Sequence, residues 1–335
     1  MRHVFSPRLF QCLLGAVLAL SGAWGSAQTV WPTKPIKIII PFPPGDSIDI
    51  TARMIGPKLT EMWGQPVIVE NIAGGSGQVG MAALARATPD GHTIGVGQAG
   101  NLVVIPHTFK KVPYDPLKNF VAVSLTTTNF QAIVANHDAP FKNLSEMIAY
   151  AKANPGKLSY GSSGAGTISQ QEMELFKQAV GIDIPEIPYK STAQAMTDLI
   201  GGTLSVFPVV VPLVAPHIQS GRVTALAVID SRRSQLLPDI PAISEQVNVP
   251  GYAPTPVWYG FVAPNGTPAQ AISVLSGLIN AAMDTPDAKT RLVSTPLAAR
   301  PRTKDARSND CRCSAFRHAK IDWLPRRNCA SSCSL

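Results

Sequence analysis

Two short segments rich in glycine, proline and hydroxyl side chains each stand directly before a predicted helix. The first is Pro41-Phe-Pro-Pro-Gly-Asp46 and the second is Gly161-Ser-Ser-Gly-Ala-Gly166. The first backbone N–H groups of a helix have no partner within the helix, and that end carries a partial positive charge. Such a loop and helix start therefore form a ready binding site for an anion, such as a carboxylate.

The elements that must position these loops alternate between strand and helix. Short apolar runs predict strands, and apolar residues at helical spacing predict helices. The alternation indicates an α/β fold with largely parallel sheets, in which ligands bind beyond the carboxyl ends of the strands. We predict strands over 36–40, 67–69, 93–97, 131–135, 158–160, 204–211, 223–229 and 258–263, and helices over 47–63, 144–153, 167–180 and 267–283. The glycine-rich stretch over 74–80 leads into a further helix that runs through Ala87.

Helix starts carry recognisable capping signals. Thr167 with Gln170 forms the pattern of a capping box, Ser191 with Gln194 caps the next helix, and Thr267-Pro268 opens a later one. These signals predict where the first turns lie and which side chains satisfy their backbone donors.

A dinucleotide site is one alternative reading of the glycines. The G-x-G-x-x-G pattern occurs twice, at 75–80 and at 95–100. The pattern alone is weak, and no acidic residue follows at the end of a clear next strand. Tight turns that allow helix–sheet packing explain these glycines better, so we predict no cofactor.

Hydrolytic chemistry is a second alternative. A serine hydrolase would need a histidine beside Ser162 or Ser163, but His92, His107, His137 and His217 are scattered through turn-like segments. Asp46 and Asp49 could act as a carboxylate pair, although both suit the capping of a helix start. No metal-binding or nucleophile-elbow motif occurs, and we predict no enzymatic activity and no metal site.

Composition narrows the class further. The 335 residues suggest about two domains and are 45% hydrophobic and 15% charged, which argues against a disordered chain. The net charge of +8 comes from Arg2, Arg8 and the arginine-rich stretch over 300–335, whereas 28–299 holds equal numbers of acidic and basic residues. A neutral body argues against a nucleic-acid partner.

The two ends differ from the body. Residues 1–27 have the basic start, short apolar core and small residues of a cleaved signal peptide, which predicts export to the periplasm. After residue 300 periodicity stops, and Cys311, Cys313, Cys329 and Cys333 appear in spacings that fit no structural zinc site. A reading-frame slip near 296–304 is the favoured explanation of this tail, with a natural variant as the alternative.

Blocks along most of the chain resemble the Bug/TctC family, the periplasmic solute-binding receptors of tripartite tricarboxylate transport systems. The opening block is Pro41-Phe-Pro-Pro-Gly-Asp-Ser-Ile-Asp-Ile-Thr-Ala-Arg53. Further blocks follow in the family's order at 66–71, 74–77, 113–116, 160–167, 188–190, 198–202, 220–227, 237–241 and 263–268. The resemblance covers about residues 30–295.

The resemblance implies a two-domain clamshell of the periplasmic-binding-protein type, with the ligand in the cleft. The first domain would comprise 28–128 and 252–299 and the second 129–251. The ligand would be a small carboxylate or amino-acid-like solute, and the partners would be the membrane subunits of the transporter, with the receptor a monomer. The implied ligand-binding residues are Phe42, Pro44, Gly45, Asp46, Ser47, Asp49, Ser162, Ser163, Gly164, Gly166, Thr167 and Tyr189.

One departure from the family bears on the ligand. Family members usually carry a second glycine where Asp46 stands, and a carboxylate there would repel a ligand carboxylate. We therefore expect weaker affinity for plain dicarboxylates, or a preference for a ligand with an amine or amide. Two rivals to a transport receptor stay open at this point: a periplasmic α/β enzyme, either a hydrolase or NAD-linked, and a ligand sensor for a membrane kinase.

Overall fold

The structure is a computed structural model, and it describes residues 31–247, 254–255, 257–286 and 288. The predicted signal peptide over 1–27 and the tail over 300–335, with its four cysteines, lie outside the described residues. Among the helices that are described, none is long and apolar enough to cross a membrane.

In the part of the chain that the structure describes, ten strands form two sheets of five. The first sheet has the order β2-β1-β3-β10-β4, in which β1 is parallel to β2 and β3, and β10 is antiparallel to both of its neighbours. Its strands are β1 Ile36–Ile40, β2 Val67–Asn71, β3 Thr93–Gln98, β4 Phe120–Asn129 and β10 Val257–Pro264.

The second sheet has the order β7-β6-β8-β5-β9. Strand β6 is parallel to β7 and β8, whereas β5 is antiparallel to β8 and β9. Its strands are β5 Gln131–Asn136, β6 Tyr160–Ser162, β7 Glu186–Pro188, β8 Val206–Val210 and β9 Val223–Ile229.

Helices flank both sheets. The described helices are α1 Ser47–Trp63, α2 Gln78–Ala85, α3 Ile105–Thr108, α4 Pro116–Asn119, α5 Leu144–Ala153, α6 Ile168–Val180, α7 Thr192–Ile200, α8 Val211–Gln219, α9 Ile243–Gln246 and α10 Ala269–Met283. A 3₁₀ turn over Gly75–Gly77 precedes α2, and a π-helical turn over Gly100–Val104 precedes α3.

Buried hydrophobic side chains stabilise each sheet, and the core cluster of the first sheet also includes the start of α6 and the end of β8 from the second half. In the first sheet, Ile38 and Ile40 of β1 share one core cluster with Ile48 and Leu59 of α1. In the second sheet, alternate residues of β5 enter two different clusters, so this central strand is buried on both faces. Only Phe130 separates β4 of the first sheet from β5 of the second.

The predicted alternation is confirmed in outline, and the structure corrects it at several points. The sheets are mixed rather than largely parallel, because β5 and β10 each run antiparallel between their neighbours. The longest strand, β4, was not predicted, since its threonine-rich sequence lacks a clear apolar run. The strand predicted over 158–160 instead spans Tyr160–Ser162.

Two of the predicted helix caps are absent. The Thr267 hydroxyl donates to the carbonyl oxygen of Pro264 at 2.7 Å, and α10 begins after Pro268 without a side-chain cap. Thr167 precedes α6 but makes no capping hydrogen bond. The third cap is confirmed, because the Ser191 hydroxyl accepts from the Gln194 amide at 3.2 Å.

Candidate functional site

The first glycine-proline loop leads from β1 into α1. Asp46 caps α1 by accepting a hydrogen bond from the Ile48 amide at 3.2 Å, as the sequence suggested for a residue at this position. The next residue, Ser47, shares a hydrogen bond of 2.6 Å with the Tyr259 hydroxyl of β10. The loop is thus tied to the centre of the first sheet.

Asp49 holds this loop from inside. Its carboxylate is only 3% exposed and accepts hydrogen bonds from the Gly45 amide, the Arg53 guanidinium and the Asn71 side-chain amide, each at 2.9 Å. With its acceptor positions used in this way, Asp49 positions the loop and does not form part of a catalytic carboxylate pair.

The second loop follows β6 and is supported by one carboxylate. Ser162 is fully buried and donates a short hydrogen bond to Glu186, while its oxygen accepts from the Gly164 amide at 2.9 Å. Gln170 donates to the other oxygen of Glu186 at 2.8 Å and accepts from the Gly166 amide at 2.7 Å. Glu186 therefore fixes the loop through two side chains.

The same contacts explain why the predicted capping box does not form. The Thr167 hydroxyl donates to the Gly164 carbonyl at 2.6 Å, and the Gln170 oxygen is occupied by Gly166. Neither side chain accepts a hydrogen bond from a backbone amide in the first turn of α6, so that turn has no side-chain cap. Its first backbone donors are consequently available to a bound anion.

A cavity of about 50 Å³ lies between the two loops. In this arrangement the cavity is much smaller than an ordinary ligand pocket and leaves no room for a dinucleotide. The half that carries the first sheet contributes Phe42, Asp46, Ser47, Gln98, Val257 and Tyr259. Polar residues of the other half are Gln131, Ser163, Thr167, Ser169 and Thr192.

The predicted ligand residues divide into two groups. Five of them line the cavity: Phe42, Asp46, Ser47, Ser163 and Thr167. The others stand behind it: Pro44, Gly45, Asp49, Ser162, Gly164, Gly166 and Tyr189. Tyr189 belongs to the core of the second half, where burial and a hydrogen bond to Asp198 raise its pKa to about 12.

Five polar lining residues were not predicted: Gln98, Gln131, Ser169, Thr192 and Tyr259. Gln98 ends β3 and Gln131 begins β5, so both are polar side chains at strand ends. Their position at strand ends could have identified these two glutamines as site residues, because strand ends border ligand clefts in sheets of this type.

Of the residues that the structure describes around the cavity, Asp46 is the only charged one. Burial raises the pKa of its carboxyl, while hydrogen bonds from the Ile48 amide, Thr192 and Ser47 act in the opposite direction. Burial and the nearby Asp46 charge also raise the pKa of the Tyr259 hydroxyl. The hydroxyl of Tyr259 therefore stays protonated and can donate or accept within the cavity.

The two halves touch directly around the cavity. The Thr192 hydroxyl donates to the Asp46 carboxylate at 3.2 Å across the cleft. A methyl group added at Gly166 would come within 2.7 Å of Ile105 and 2.9 Å of Phe109, both in the other half. The described arrangement is therefore closed, and glycine permits this approach of the second loop.

A larger cavity of about 230 Å³ lies beside the crossover residues 128–130. Arg232, Arg233 and the start of α8 contribute to its lining. Neither predicted loop reaches it, so we assign the ligand site to the smaller cavity that both loops enclose.

The alternative chemistries find no support in this geometry. The described hydrogen bonds of Ser162 and Ser163 involve no histidine. In the first glycine motif, a methyl group at Gly80 would come within 2.6 Å of the Ile72 carbonyl and 2.7 Å of Pro41, so this glycine serves helix–strand packing. Within the described ranges, no group of three histidine, cysteine or acidic residues could hold a metal ion.

Comparison with known proteins gives consistent matches. Residues 51–302 match the family described as the tripartite tricarboxylate transporter family receptor, TctC. Protein BugT of Bordetella pertussis is 34% identical over 295 residues, which cover 86% of this chain and 90% of BugT.

Solved structures agree with the sequence matches. Periplasmic binding protein BugD has a TM-score of 0.73 at 31% identity, covering 78% of this chain and 86% of that chain. MatC from Rhodopseudomonas palustris with bound malate has a TM-score of 0.74 at 29% identity, covering 78% and 89%. The predicted two-domain periplasmic-binding-protein fold is thereby confirmed.

Proposed function

The chain belongs to the TctC family of tripartite tricarboxylate transporter receptors, which makes it a solute-binding protein rather than an enzyme, and we propose that it captures a small carboxylate-bearing solute for such a transporter. The solute would bind between the first and second sheets. Its carboxylate would accept hydrogen bonds from the first turn of α6.

The observation that carries this proposal is the uncapped N-terminus of α6 at a cavity enclosed by both halves. Thr167, Ile168 and Ser169 line the cavity at this helix start. Hydrogen bonds to a charged group, together with the positive helix end, favour an anion at this place. The malate bound to MatC is a carboxylate of the same general kind.

Capture would be coupled to closure. A ligand held by both loops binds the closed form better than the open one, so it shifts the population towards closure. The closed form would then be recognised by the membrane subunits of the transporter. We place the first domain at 28–128 with 252–299 and the second at 129–251, and the single residue that separates β4 from β5 supports a boundary there.

The proposed function also implies the compartment in which the mature protein works. BugD is a periplasmic binding protein, and the segment over 1–27 has the pattern of a cleaved signal peptide. We propose that the mature receptor starts at Gln28 and works in the periplasm as a monomer. Amino-terminal sequencing of the secreted protein checks the cleavage position, and intact residues 1–27 would contradict it.

A thermal-shift screen of the exported full chain against mono-, di- and tricarboxylates tests the function. A ligand at 100 times its Kd should stabilise the folded protein by about 2.7 kcal/mol. At least one small carboxylate should raise the melting temperature with a saturable dose dependence. If none does at millimolar concentration, the proposal is wrong.

Ile168→Pro tests the assigned helix terminus. Proline is tolerated at the first helical position but lacks the backbone donor, and the extended Thr167 is compatible with a following proline. The loss of one hydrogen bond to a carboxylate, about 1.5–3 kcal/mol, should weaken binding about tenfold or more. Ile168→Ala is the control, since it shortens the side chain and keeps the donor.

A further inference from the structure

The cavity carries one negative and one positive pole. The negative pole is Asp46, the single charged side chain among the described residues that line the cavity. The positive pole is the uncapped first turn of α6, where Thr167, Ile168 and Ser169 line the same cavity. Within the described part of the lining, no lysine, arginine or histidine could neutralise a second carboxylate of a ligand.

Asp46 has hydrogen-bond donors around it but no cation. Its carboxylate accepts from Ile48, Ser47 and Thr192, at 3.2–3.3 Å in each case. Burial raises the pKa of this carboxyl, and a positive charge placed in the cavity would offset that effect. A ligand carboxylate placed beside it would have the opposite effect and would be repelled.

Gln131 adds a second acceptor without a partner. The side chain is 7% exposed, and its Oε1 atom has no hydrogen-bond partner among the described residues. Gln131 begins β5, where its backbone is paired with Val210 on one side and Ile229 on the other. Gln131 therefore lies at the cavity wall, where a donor group of a bound solute would satisfy this buried acceptor.

We propose, on the basis of the function inferred above, that the preferred solute is a zwitterion whose protonated amine binds Asp46 and Gln131 while its carboxylate binds the start of α6. An ammonium group supplies three donors and no acceptor, which matches a carboxylate and an amide oxygen. A dicarboxylate lacks those donors and would place a second negative charge near Asp46. The ligand class is thus a small amine-bearing carboxylic acid.

Isothermal titration with matched acids tests this inference on the exported full chain. Each pair differs by one amine: succinate and aspartate, glutarate and glutamate, propionate and alanine, and 3-phenylpropionate and phenylalanine. In at least one pair the amino acid should bind ten or more times more tightly than the plain acid. That result supports the inference without any variant.

Two variants test which residues cause the preference for the amine-bearing acid. Asp46→Asn keeps a good helix cap and removes the charge, so the ratio within the pair should fall below threefold. Gln131→Leu removes the unpaired acceptor and should weaken the amino acid more than the plain acid. Asp183→Asn makes the same charge change at an exposed position and should leave the ratio unchanged.

The outcomes separate the two proposals. If plain acids bind as tightly as their amino counterparts or more tightly, the zwitterion inference is wrong and the carboxylate receptor stands. If the preference for the amine is present but survives Asp46→Asn, the assignment of the amine to Asp46 is overturned. If no member of any pair binds at 10 mM while another carboxylate of the thermal-shift screen does, the zwitterion inference is wrong and the carboxylate receptor stands. If no carboxylate of that screen binds either, the proposed function itself fails and the inference falls with it.

Discussion

Gly100 is a position where a single methyl group should oppose closure without entering the ligand cavity. It lies in the π-helical turn of the first half and does not adopt a positive φ. A Cβ atom there would lie 3.3 Å from the Gly166 carbonyl oxygen, 3.6 Å from Thr167 Cα and 3.8 Å from the Ile168 amide nitrogen. All three atoms belong to the second half, at the end of the second loop and the start of α6, so opening the cleft relieves the contact.

The expected loss of affinity follows from the cost of overpacking, which is about 1–3 kcal/mol for extra methylenes in a packed region. Gly100→Ala makes one tight backbone contact and belongs at the lower end, and Gly100→Leu belongs at the upper end. Because the cost falls on the closed form alone, Kd should rise about fivefold for alanine and about 150-fold for leucine.

Titration of the tightest-binding acid measures these values, with circular dichroism melts of the free variants to show that the fold is kept. Gly277→Ala in α10 is the matched control, since an added Cβ there meets no atom within 4 Å. Its Kd should equal that of the wild type. Wild-type affinity in Gly100→Leu would refute the reasoning, because the ligand-bound form would then lack this contact.

Three further predictions concern stability. Asp49→Asn removes the buried charge that accepts a hydrogen bond from the Gly45 amide, and it should lower the free energy of unfolding in urea by about 1.5–3 kcal/mol. An unchanged urea midpoint would show that other contacts hold the loop. Burial raises the pKa of Asp46 above its ordinary 3.8, so ionisation of this carboxyl destabilises the folded state as the pH rises. Without ligand, the Asp46→Asn variant should therefore melt at a higher temperature than wild type at pH 7 and at the same temperature at pH 3. Equal melting temperatures at both pH values would contradict this. The hydrogen-bonded pair with Arg233 lowers the pKa of Glu245 from 4.5 to about 2. The ionised Glu245 therefore stabilises the folded state above pH 4.5, and this stabilisation is lost as the pH falls towards 2. Glu245→Gln should flatten that part of the acid-unfolding curve, and an unchanged slope would count against the pair.

Strong local patterns predicted much of the fold. The run Ile36–Ile40 has one interpretation, a buried strand, and the apolar spacing of 47–63 matches α1 over the same residues. Strand direction was harder, because it depends on which strands become neighbours after the chain crosses between the halves. The antiparallel positions of β5 and β10 arise from those two crossings, and no local pattern encodes them.

The sequence predicted the two loops of the site better than the individual side chains that line the cavity. Both loops were recognised from their composition, and both border the cavity. The role of Asp49 in helix α1 could not be predicted from its spacing, because its partner Asn71 lies on strand β2. Gln131 and Tyr259 come from β5 and β10, far along the chain from either loop, and only the closing of the two halves brings them to the same cavity.

The most direct test of the account is a crystal structure of the exported protein with its tightest-binding carboxylate. We expect the ligand in the cavity between the two sheets, with one carboxylate within hydrogen-bond distance of the Ile168 or Ser169 amide nitrogen. A ligand held instead in the larger cavity beside residues 128–130, with the start of α6 unoccupied, would contradict the assigned site.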